Sequence, residues 1–121
     1  MDMDREVQDL AGHAVGVLRE RGWNKGQLHD EDGRLCLMGA VYEAQKELGT
    51  ARQPSKSAVV KRLVTQLNRV IHAQYPHMCD GSALCSYMPR NTNVTRIEHW
   101  NDAHASSQDE VERILEKVAA G

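Results

Sequence analysis

Val7, Leu10, Ala11, Ala14, Val15 and Leu18 recur every three or four residues with polar side chains between them, the spacing of one stripe on an α-helix. The period returns in Val60, Leu63, Val64, Leu67, Val70 and Ile71, and again in Val111, Ile114, Leu115 and Val118. No stretch carries a strand pattern, so the periodicity predicts an all-α fold, a bundle of four to five helices in one domain spanning 1–121. The first helix is expected over about residues 4–21, with Asp2 or Asp4 facing its free N–H groups and Gly22 placed to end it. A second helix, Leu35 to Leu48, is almost continuously apolar at its start. It reads as the buried central helix, with Gly39 and Ala40 allowing a neighbouring helix close. Ser57 caps a third helix that ends near Tyr75-Pro76, Val94 to Trp100 forms a short one, and Ser106 or Ser107 caps the last. Between them lie an irregular or hairpin-like excursion before Arg34, a surface loop over 49–57, and an irregular loop over 77–93 suited to partner contact.

With 121 residues the chain can bury a core without disulfides. It has no Phe, so aliphatic side chains must fill that core, with Trp23, Trp100 and three tyrosines as the only large rings. No run of 18 apolar residues exists, and the first residues are acidic rather than basic-then-apolar, which predicts a cytoplasmic protein away from membranes. Three cysteines, an odd number, fit reduced thiols there.

Charge is unevenly spread. Residues 1–50 carry 6 basic and 10 acidic side chains, 51–96 carry 7 and 1, and 97–121 carry 2 and 6. The basic middle is expected to pair with the acidic ends inside the fold; a nucleic-acid role for Lys61, Arg62 and Arg69 is disfavoured by net charge −2 and the lack of interleaved aromatics.

Cys36 stands at a predicted helix N-terminus, where the dipole and free N–H groups lower a thiol's pKa; with His99 and Asp102 or Asn101 it would complete a thiol-enzyme set. The plainer reading makes Cys36 a small buried hydrophobe. Trp100, Asn101 and Asp102 read either as a binding cluster or as a core ring followed by two residues that hydrogen-bond the turn before the last helix. His72, His77, Cys79 and Cys85 are the right ligand types for zinc at a non-standard spacing, so no cofactor is expected and zinc is the alternative. Asp30-Glu31-Asp32-Gly33 lacks the remaining ligands of a calcium loop. The common phosphate, dinucleotide, zinc-protease and serine-hydrolase signatures are absent.

Gly22-Trp23 through Gly33, the run Leu35-Cys36-Leu37-Met38-Gly39-Ala40-Val41, and Trp100-Asn101-Asp102 followed by Glu110-Val111 together resemble a family of small uncharacterised domains of actinobacteria and their phages. The resemblance covers about the first 45 and last 25 residues. It implies a helical fold, a bacterial or phage source, and importance for Cys36, Trp100, Asn101 and Asp102, with no mechanism attached. The expected function is a protein-interaction module, as a phage factor acting on a host protein or as a homodimer. The alternatives are a thiol enzyme using Cys36 and His99, and a protein that sequesters a small anionic ligand or nucleotide against the basic segment.

Overall fold

Each apolar stripe becomes a helix in the computed structural model, which describes residues 3–26, 28, 30–49, 57–75 and 93–121. In order they are α1 (Met3–Arg21), α2 (Leu37–Glu47), α3 (Ala58–Gln74), α4 (Asn93–His99), a π-helical turn (Trp100–His104) and α5 (Gln108–Ala120). The only β-type pairing among the described residues is one isolated bridge, so the all-α expectation holds.

Local chemistry sets the ends. α1 carries Asp4 and Glu6 in its first turn and Arg19 and Arg21 in its last, each sign placed to suit the helix dipole. It stops at Gly22, whose φ of +89° suits glycine and whose N–H donates to the Leu18 carbonyl at 2.7 Å. Ser57 caps α3 by accepting from the Val60 N–H at 3.4 Å. Ser107 caps α5 by accepting from the Glu110 N–H at 3.3 Å, while the Glu110 carboxylate reaches back to the Ser106 N–H at 2.8 Å, a capping box shifted by one residue.

The sequence placed the helix beginning near Cys36 at the centre. α2 is indeed buried over its first two turns, yet α1 holds the middle of the packing, against α5, α2 and α3. α2 also meets three helices, α1, α3 and α4, but the nineteen residues of α1 give it the longer contact with each of its neighbours. The core is aliphatic apart from Trp100, which is fully buried and packs its ring at 5.9 Å from that of Tyr75. The Tyr75 hydroxyl donates to the Glu110 carboxylate and so ties the end of α3 to the start of α5. No helix among the described residues is long and apolar enough to cross a membrane.

Between α1 and α2 the chain makes the expected excursion, but its ends pair in parallel. The Asn24 N–H donates to the Leu35 carbonyl at 3.0 Å and the Leu35 N–H to the Gly22 carbonyl at 2.9 Å, so it is a loop and not a hairpin. Asp30 organises its far end, accepting from the backbone N–H groups of Asp32 and Arg34 and from the Arg34 guanidinium at 2.8 Å. Burial would raise this carboxyl's pKa; the hydrogen bonds and charge of Arg34 outweigh that and hold it below its usual value. The acidic turn that fails as a calcium loop is thus held by an arginine.

Candidate functional site

Among the described residues the most connected polar side chain arises where α4 runs into the π turn. The Ala105 N–H donates to the Trp100 carbonyl at 2.8 Å, an i to i+5 bond that widens the helix by one residue. Consecutive residues Trp100 and Asn101 are both buried, with 0% of each exposed, and Asn101 uses its whole amide. Its Oδ1 accepts from the Trp23 indole N–H at 2.6 Å and from the Leu37 N–H at 3.1 Å. Its Nδ2 donates to the Asn24 carbonyl at 3.1 Å and to Asp102 Oδ1 at 2.9 Å. Asp102 in turn accepts from the Gly26 N–H at 2.7 Å.

Asn101 and Asp102 were expected to bond the turn before the last helix. They instead clasp the excursion and the first N–H of α2, groups 64 to 78 residues away along the chain. Trp100 and Asn101, candidate binding residues in the sequence, have no surface to offer a partner; what they hold is the protein's own loop.

Cys36 is the N-cap of α2 and is buried, its sulfur accepting from the Gly39 N–H at 3.3 Å. Its surroundings push the thiol pKa up: burial acts first, the capping N–H groups of Gly39 and Met38 oppose it, and the carboxylates of Glu98 and Asp102 add to it. The helix terminus does act in the expected direction, but desolvation and two negative neighbours outweigh it. Gly39 is required here because a Cβ would stand 2.0 Å from the Leu28 carbonyl oxygen. The close approach allowed by this glycine is therefore that of a loop backbone rather than a helix.

A small pocket of about 260 Å³ opens beside the thiol, lined by Gly26, Leu28, Cys36, Glu98 and Asp102. The structure thus brings Cys36 and Asp102 to one cavity. His99 does not line it; its Nε2 faces His104 Nε2 at 3.3 Å on the π turn. Burial, then His104, lowers the His99 pKa, against a raising effect of Asp102.

The remaining candidates lie on α3. Lys61, Arg62 and Arg69 line a groove of about 390 Å³ on its outer face, with Met3, Thr65 and Gln66. Arg62 pairs with Asp4 at 3.0 Å, one instance of the expected pairing between the basic middle and the acidic N-terminal region. Lys61 and Arg69 make no ion pair with any described residue. His72 is exposed in the last turn of α3, while His77, Cys79 and Cys85 lie outside the described residues. Among the described residues no three His, Cys, Asp or Glu side chains are grouped to hold a metal ion. Sequence reasoning missed the roles of Trp23, Leu28 and His104; each depends on a partner remote in sequence or on the π register, and neither leaves a periodic signal.

Fold and site together define a small all-α protein in which a buried asparagine clasps an excursion onto the start of a neighbouring helix. The chain belongs to a family of unknown function, DUF6197, whose model matches residues 3–121. No curated protein and no solved structure matches it.

Proposed function

We propose that this protein is an interaction module that docks an acidic surface of a partner protein on the outer face of α3. One cluster carries the reading. Arg19, Arg21 and Arg34 each engage two carboxylates of the protein itself, whereas Lys61 and Arg69, exposed and like several other surface cations without an ion pair among the described residues, line one groove with Arg62. Together with Arg62, Thr65 and Gln66 they follow one stripe opposite the buried Val60, Leu63, Val64 and Leu67. From residue 58 to residue 69 that stripe runs about 16 Å at 1.5 Å per residue, enough for one acidic segment.

The docking is electrostatic rather than apolar, because Leu28 and Leu48 are the large exposed hydrophobics of the described residues and neither lines this groove. Such contacts act on association rate and specificity and weaken with salt. Following the resemblance to actinobacterial and phage domains, we place the module in the bacterial cytoplasm, as a phage factor acting on a host protein. The thiol-enzyme alternative is the poorer fit, since Cys36 is buried, its pKa is raised, and His99 does not line its pocket.

The test is a photo-crosslinking residue at Gln66, compared with one at the exposed Arg113 on α5, in an actinobacterial host. The expected result is a discrete protein adduct from position 66 alone, lost in Lys61→Glu/Arg69→Glu, whose purified partner binds more weakly as salt rises. An adduct indifferent to charge reversal, or equal from both positions, refutes the reading. A small anion retained in native mass spectrometry and lost in the same double variant replaces it with ligand sequestration.

A further inference from the structure

In an α-helix, residues five apart point about 140° away from each other around the axis. The i to i+5 bond between Trp100 and Ala105 removes that offset locally, and His99 and His104 therefore share one face. Their rings meet edge to face, with centroids 5.1 Å apart, planes inclined by 71° and the two Nε2 atoms 3.3 Å apart. That separation is long for a nitrogen-to-nitrogen hydrogen bond. It equals the edge of a tetrahedron whose ligand bonds are about 2.05 Å, the length of a zinc–imidazole bond, since that edge is about 3.3 Å.

We propose that His99 and His104 form a two-imidazole chelate for a divalent late transition ion of the zinc, nickel or copper class, with water filling the remaining positions. Imidazole nitrogen is a preferred donor for these ions. One further feature agrees with it. Both residues are half-buried, so neither is sealed inside the core.

The site is separate from the basic face of α3 and stands or falls independently of the partner proposed for it. A bound ion would bridge positions 99 and 104 and so brace the π register on which the Asn101 clasp depends. Binding to the folded form alone would stabilise the protein by mass action.

The experiment titrates the full chain with nickel(II) chloride, by calorimetry and by the imidazole 15N resonances. The expected result is one tight equivalent, shifts at Nε2 of both His99 and His104, and an affinity at least about tenfold lower in His99→Gln or His104→Gln but unchanged in His72→Gln. Each variant's metal-free melting curve checks its fold, and the 15N shifts of the unmodified protein need no variant at all. Nickel binding that leaves both Nε2 resonances unmoved, or that survives both substitutions, overturns the assignment; so does the absence of binding, which would leave the pair as a hydrogen bond only.

Discussion

Asn101→Ala tests whether the clasp holds the domain together. The substitution removes the acceptor used by the Leu37 N–H and the Trp23 indole, and the donor used by the Asn24 carbonyl and Asp102. The groups do not suffer equally. The Leu37 N–H is buried at the start of α2 and cannot turn to water; a buried donor without an acceptor costs about 1–3 kcal/mol, and this one belongs near the top of the range. Trp23 is half-buried and belongs near the bottom, while Asp102 is exposed and rehydrates. The sum is about 3–4 kcal/mol, a large share of the ~5–15 kcal/mol that holds a domain folded. At this chain length it corresponds to a fall in Tm of about 10–15 °C. Urea unfolding followed by both tryptophan fluorescence and far-UV circular dichroism measures it. A loss under about 1 kcal/mol would refute the reasoning, because water would then have replaced all four bonds in the folded state.

Gly39→Ala should destabilise the protein despite gaining about 1 kcal/mol of helix propensity, because the new Cβ meets a backbone oxygen that is not free to turn aside; an unchanged urea midpoint would contradict the close approach of Leu28. Cys36 should react with iodoacetamide at pH 7.5 about tenfold or more slowly than an unperturbed thiol, measured on its own peptide by mass spectrometry, and fast labelling would restore the nucleophile reading. Burial, then the hydrogen bond and charge of Glu110, push the Tyr75 hydroxyl up to about 12. A group whose pKa is raised by folding stabilises fully below its unfolded value, here about 10, and loses that contribution as pH rises through the folded value. Wild-type stability should therefore decline between those limits and Tyr75→Phe should flatten the decline; parallel melting-temperature profiles of the two proteins would show that Tyr75 is not responsible.

The helical class, and membership of an uncharacterised family, were both within reach of one-dimensional reasoning. Val7 to Leu18, Val60 to Ile71 and Val111 to Val118 each solve their burial problem within one helix, so the stripe declares the element before any partner is known. Caps are local as well: Gly22, Ser57 and Ser107 act on N–H or carbonyl groups within four residues, and all three stand where composition placed them. Cys36 shows where that reasoning stops. Its place at a helix start was legible, but its pKa depends on burial and on Glu98 and Asp102, which arrive from another helix.

The long helices and their capped ends were legible along the chain, because helix periodicity and capping act over a few residues, while the π turn left no such signal. Tertiary structure alone decided that α1 sits at the centre, that Asn101 bonds the excursion rather than its own turn, and that His99 meets His104. The physical reason is the same in each case. A buried amide must find every partner it lost from water, and those partners are selected by which backbones packing brings within about 3 Å, a property of the folded chain that no local spacing encodes.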